Sequence, residues 1–147
     1  MEKAQKNLKT TSLFVLFFAA LSLLHLIAAL IFGPINQAEI PADAPENILT
    51  ITKIFLLVIS LVMLVPNVYV GLKGLRVAKN PDTSKGHIIW ACILFAFSVL
   101  ALVDPVVACL RDGAWGENVG ALLNIGLDLI IYYEFIVQAK TVAKLAA

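Results

Sequence analysis

Four long runs of apolar residues, separated by short polar segments, dominate the chain. The runs extend over about residues 12–32, 48–75, 87–110 and 119–137. A helix needs about 20 residues to cross a hydrocarbon core of about 30 Å, and each run is near or beyond that length. Backbone groups inside a bilayer must pair with one another, and the runs lack the alternation of barrel strands, so each is predicted to be a helix. The pattern therefore predicts an all-α fold, in which residues 1–147 form one four-span transmembrane domain.

The connections between the runs carry signals of helix ends. The connection 79–85 is polar and short, so the helices on either side of it are expected to be antiparallel neighbours in a four-helix bundle. Within it, Thr83 or Ser84 is expected to cap the third helix. Before the second run, Asp43 and Glu46 have the spacing of a capping box.

Composition agrees with a protein whose solvent is the lipid bilayer. Apolar residues make up 61% of the chain and charged residues only 14%, whereas soluble domains have about 25% charged residues. The formal net charge is +1, which does not resemble the basic footprint of a nucleic-acid-binding protein. A disordered chain and a nucleic-acid partner are therefore not expected.

The basic residues predict an orientation. Nine of the eleven Lys and Arg residues lie in the two terminal segments or around the second connection. These nine are Lys3, Lys6, Lys9, Lys73, Arg76, Lys79, Lys85, Lys140 and Lys144. By the positive-inside rule, both termini are expected in the cytoplasm, and the short loops are typical of a bacterial cytoplasmic membrane. The first run follows three lysines as a signal peptide would, but its apolar part is too long, so we expect it to be retained.

Five polar residues fall in the outer half of the spans or near the midplane, and they form the candidate site. They are His25, Lys53, Asp104, Asn124 and Asp128. Asn124, Asp128 and Tyr132 recur at every fourth position, which places them in one stripe on the fourth helix. An ionised carboxylate at the bilayer centre costs at least about 2.5 kcal/mol, so Asp128 needs a partner or a proton. Judged by depth alone, Lys53 and His25 are the candidate partners, and the cluster serves either transport or helix association.

Two prolines lie inside the spans. Asp104 precedes Pro105, a pair that suits a helix N-cap, so the third span is expected to end or kink there. Pro66 is expected to kink the second helix, and Asn67 to bond either the carbonyl that the proline frees or a neighbouring helix.

Two glycines follow this predicted kink. Gly71 and Gly74 lie in the last part of the second run. Their spacing differs from the small-xxx-small dimer motif, so they indicate only that another part of the chain approaches this backbone closely.

The sequence carries no motif of an ordinary enzyme or metal site. The HExxH, CxxC, G-x-S-x-G and phosphate-loop patterns are all missing from it, so no metal ion or other cofactor is expected. We expect a non-enzymatic membrane protein that acts through helix packing, as a homo-oligomer or as an accessory subunit of a membrane complex. The alternative is a small transporter of protons, cations or a solute that uses the intramembrane polar cluster.

Overall fold

The computed structural model describes residues 2–32, 48–113 and 115–147, and almost all of them are helical. The helices are α1 (Glu2–Phe32), α2 (Ile48–Lys79), α3 (Gly86–Ala101), α4 (Val103–Asp112) and α5 (Trp115–Ala146). These described ranges contain no strand, so the predicted all-α class is confirmed. Because α3 and α4 follow one another directly, they form one span, and the four resulting spans are long and apolar enough to cross a membrane. The predicted capping box of α2 lies outside the described residues.

The third span breaks at Leu102, slightly earlier than the sequence indicates. Leu102 keeps a right-handed helical conformation, and its N–H donates to the Ser98 carbonyl at 3.2 Å. Because Pro105 has no N–H, the Ala101 carbonyl lacks its usual partner four residues later, and this loss interrupts the helix one turn before the proline. The predicted N-cap role of Asp104 is therefore wrong, since Leu102 occupies that position and Asp104 lies in the first turn of α4.

The turn between α2 and α3 is organised by Asp82 rather than by a capping hydroxyl. The Lys73 ammonium donates to one carboxylate oxygen at 2.9 Å, and the Ser84 N–H donates to the other at 3.0 Å. The hydrogen bond from Lys73 lowers the pKa of the Asp82 carboxyl below its usual range. The N-cap of α3 is Lys85, without a side-chain hydrogen bond, so the predicted cap by Thr83 or Ser84 is wrong.

Consecutive spans run antiparallel and close into a ring. α1 packs against α2 and α5, and the third span packs against the other side of α5 and against α2. Near the N-terminus, the Gln5 amide donates to the Ala78 carbonyl at 3.2 Å, whereas further along α1 Leu16 contacts Gly71. Later residues of α1 thus contact earlier residues of α2, so the two helices run in opposite directions. Both termini and the turn between α2 and α3 consequently lie at one end of the bundle, here called the terminal end.

The contiguous hydrophobic core lies at the terminal end of the bundle. Among the described side chains, the first buried residue of α2 is Val70, and the first of α5 is Tyr132. Small residues permit this packing: a methyl group at Gly74 would overlap the Ser12 hydroxyl and the Phe135 ring. The close approach predicted from the two glycines of α2 is confirmed.

Candidate functional site

A half-open cleft of about 600 Å³ lies between α1, α2 and α5, in the half of the bundle away from the termini. Seven of its lining side chains are polar and come from all three helices. They are Ser22, His25, Ser60, Asn67, Asn124, Asp128 and Tyr132. This convergence makes the cleft the candidate site.

The polar stripe of α5 forms one wall of the cleft. Asn124, Asp128 and Tyr132 all line it, as their spacing of four residues requires. Their burial increases towards the terminal end: Asn124 is exposed, Asp128 is half-buried and Tyr132 is buried. The carboxylate of Asp128 therefore lies between an accessible amide and a buried phenol.

A hydrogen bond between two helices closes the end of the cleft that is nearer the terminal end of the bundle. The Tyr132 hydroxyl donates to the Asn67 side-chain oxygen, and the Asn67 amide nitrogen donates to the Met63 carbonyl at 2.9 Å. Asn67 thereby joins α2 to α5, and α2 continues as a helix through the preceding proline. Beyond this pair, Val70 and Phe135 are completely buried. The cleft is consequently blocked on the side of the terminal end.

His25 and Asp128 line the same cleft at different depths. Ser12 of α1 and Phe135 of α5 both surround Gly74, so these two residues share a level in the bundle. At 1.5 Å per residue, Asp128 lies about 10 Å further from the terminal end than Phe135, and His25 lies about 19 Å further from it than Ser12. The two ionisable residues therefore differ in depth by about 9 Å along the bundle.

Asp104 does not belong to the cleft, in contrast to the grouping made from the sequence. The His87 ring packs edge-to-face on Phe135, with ring centroids 6.0 Å apart, which sets the register of the third span against α5. Asp104 is then about 25 Å further from the terminal end than His87 and Phe135, and about 15 Å further from it than Asp128. It lines a separate depression together with Arg111. Span boundaries alone placed it too deep.

Register also separates Lys53 from Asp128. Gly74 and Phe135 are packed together and therefore share a level. Lys53 precedes Gly74 by about 31 Å of helix and Asp128 precedes Phe135 by about 10 Å, so their backbones differ in depth by about 21 Å. That difference exceeds the span of a lysine side chain. The Lys53 side chain itself lies outside the described residues.

The charge of Asp128 has no counterpart in the described part of the chain. None of those side chains donates a hydrogen bond to its carboxylate or forms an ion pair with it. The same residues contain no group of three His, Cys, Asp or Glu side chains that could hold a metal ion. A carboxylate at this depth requires either a proton or a cation that comes from elsewhere.

Two polar residues that matter in the structure, Ser60 and His87, were not singled out from the sequence. Ser60 lines the cleft seven residues before Asn67, and this two-turn spacing could have placed it on the same face of α2. His87 is fully buried in the core, and both of its ring nitrogens lack a hydrogen-bond partner among the described residues. No spacing rule marks a lone histidine of this kind.

Comparisons with protein-family models, with curated proteins and with solved structures found no match. The chemistry of the cleft is therefore what indicates the function. A carboxylate, an imidazole, two amides and three hydroxyls converge there, with an apolar wall between them. Such a set can bind a small polar or cationic solute, whereas the described residues offer no metal cluster for redox or Lewis-acid chemistry.

Proposed function

We propose that this chain is a small integral membrane transport protein, which binds a proton-carrying, cationic or polar solute in the cleft without changing it chemically. One observation carries the proposal: polar side chains of three helices surround a half-open cleft instead of a closed core. Ionisable residues within membrane spans generally face a bundle interior or a water-filled cavity and mark solute pathways. Polar groups that serve only helix association would be enclosed and paired with one another.

The outer surface of the bundle supports insertion into lipid. Large apolar side chains point away from the bundle along all four spans, and Leu24, Leu100, Leu110 and Leu123 are each more than 60% exposed. The basic residues gather at the terminal end, which by the positive-inside rule faces the cytoplasm. In a bacterial cytoplasmic membrane, the cleft would then occupy the outer half of the bilayer.

Water access to the cleft tests this proposal. Asn124→Cys places a thiol in the cleft wall, and Leu123→Cys places one on the neighbouring apolar surface of the same helix. Right-side-out vesicles are treated with a membrane-impermeant trimethylammonium-ethyl methanethiosulfonate, and the unmodified chain, with Cys92 and Cys109, gives the background. We expect rapid modification of Asn124→Cys and slow modification of Leu123→Cys. Equal, slow reaction at both positions would overturn the proposal.

A second candidate function is supported by the bond between Tyr132 and Asn67. This bond links two helices directly, as expected of a protein whose intramembrane polar groups serve packing within a homo-oligomer or an accessory subunit. Asp128→Asn separates the two candidates. A packing role requires the variant to weaken the association of the chain with its copies or with its partner, whereas solute binding requires it to change binding while that association is kept.

A further inference from the structure

We infer that the solute of the cleft is a small amphipathic organic cation, whose ammonium group pairs with Asp128 and whose hydrocarbon part lies against the apolar wall. This assignment rests on the solute-binding function proposed above and narrows it to one chemical class. Charge, hydrogen-bonding capacity and shape each contribute a separate step.

The charge of the site selects a cation. Asp128 is half-buried and is unpaired within the described part of the chain, and the register keeps it about 21 Å in depth from Lys53 and about 9 Å from His25. An ammonium ion would supply the missing charge at membrane depth, whereas an anionic solute would meet an uncompensated carboxylate.

The hydrogen-bonding groups of the cleft match an ammonium. Such a group has three N–H donors and no acceptor, so beyond one carboxylate it needs further oxygen atoms. The Asn124 amide, the Ser22 hydroxyl and the Ser60 hydroxyl line the cleft on three different helices. Asn67 is already committed to Tyr132 and to the Met63 carbonyl. Acceptors thus remain available in the cleft that holds the carboxylate.

The rest of the cleft wall requires an apolar body on the ligand. Its apolar lining is aromatic at Phe18 and aliphatic elsewhere, including Leu21, Leu26, Ile59 and Met63. Pockets for small organic ligands typically measure about 300–1,000 Å³, and this cleft of about 600 Å³ falls in that range. A bare metal ion would leave most of this surface unused, and the described residues provide no cluster of three metal ligands.

A matched pair of probes tests the assignment on the purified chain in detergent micelles. Phenethylamine carries an ammonium at neutral pH, and 2-phenylethanol has the same shape without the charge. Binding of each is measured by equilibrium dialysis against protein-free micelles. We expect saturable binding of the amine at least about tenfold tighter than that of the alcohol, as for one partner of a desolvated charge pair.

Two variants of α5 locate the charge that is responsible. Asp128→Asn is expected to weaken amine binding by at least about tenfold and to leave alcohol binding unchanged. Glu134→Gln makes the same change of charge at an exposed position of the same helix, outside the cleft, and should leave both affinities unchanged. The unfolding midpoint of each variant is recorded, and the comparison of amine with alcohol on the unaltered chain needs no variant.

The outcomes distinguish this assignment from the function on which it rests. Equal binding of amine and alcohol, or loss of amine binding in Glu134→Gln but not in Asp128→Asn, overturns the cationic ligand. If the thiol of Asn124→Cys is modified from water while phenethylamine neither binds nor slows that modification, the cationic ligand is refuted and the water-accessible cleft stands. An unreactive thiol at position 124 refutes both.

Discussion

Replacement of Gly74 by alanine should destabilise the bundle at its terminal end. A methyl group there would overlap the Ser12 hydroxyl and the Phe135 ring, and both of these side chains are completely buried. Ser12 also donates to the Leu8 carbonyl at 2.6 Å, which restricts how far its side chain can move aside. The added carbon therefore has to displace either a helix or a core ring.

The magnitude follows from two opposing effects. Overpacking of a well-packed core costs about 1–3 kcal/mol. Alanine favours a helix over glycine by up to about 1 kcal/mol, which offsets part of that cost. We expect Gly74→Ala to lower the free energy of unfolding by about 1–2 kcal/mol. Gly120→Ala is the matched control, because a methyl group at Gly120 would meet nothing within 4 Å.

Reversible unfolding of the purified chain in mixed micelles with increasing dodecyl sulfate measures both variants. Gly120→Ala should match or exceed the stability of the unaltered chain. Adding Ser12→Ala to Gly74→Ala removes one of the two overlaps and should recover part of the loss. Identical stabilities of Gly74→Ala and Gly120→Ala would refute the close packing on which this reasoning depends.

Three further predictions concern polar groups. Asp82→Asn should make the stability of the fold less dependent on pH in acid. Because the pKa of Asp82 is lowered in the folded state, the bond from Lys73 stabilises the fold above about pH 4, and this stabilisation is lost as pH falls through the folded-state pKa. The contribution is at most about 1 kcal/mol, since the pair is exposed. His87→Leu removes a buried imidazole that has no hydrogen-bond partner among the described residues. Unfolding should show unchanged or higher stability, by up to about 3 kcal/mol, and a clear loss would contradict this. Tyr132→Phe should lower the free energy of unfolding by about 0.6–1.7 kcal/mol. In a double-mutant cycle, Asn67→Ala should lower that free energy less in the Tyr132→Phe variant than in the unaltered chain.

Hydropathy located the spans but underestimated the helices at the terminal end. The first span was expected from about residue 12, yet α1 begins at Glu2, and α5 continues to Ala146 beyond the expected end near residue 137. A hydropathy pattern detects the stretch that matches the bilayer, whereas these extensions carry charged residues on one side and bury Leu8 and Val142 on the other. Amphipathic extensions of this kind are stabilised by tertiary packing, which a hydropathy profile does not measure.

The part of the candidate site that lies on a single helix was predictable from the sequence. Asn124, Asp128 and Tyr132 share a face because of their spacing, and all three line the cleft. Grouping residues from different helices requires the register between those helices, which in this bundle is set by contacts such as that of His87 with Phe135. Depth counted from the ends of the apolar runs does not give that register. For this reason the sequence grouped Asp104 with the candidate site, although Asp104 does not line the cleft.

The positions of small and large side chains explain why a tight core and an open cleft occur in one bundle. At the terminal end, Gly74, Ala91 and Ala139 are completely or nearly completely buried between helices, and their size permits close contact. About three turns further from the terminal end, the side chains between α1, α2 and α5 are bulky, as at Met63, or polar, as at Asp128, and close packing gives way to a cavity. Packing at the terminal end can thus offset the cost of keeping in the cleft a half-buried carboxylate that is unpaired within the described residues. Stability and the proposed solute binding should then respond to separate sets of substitutions.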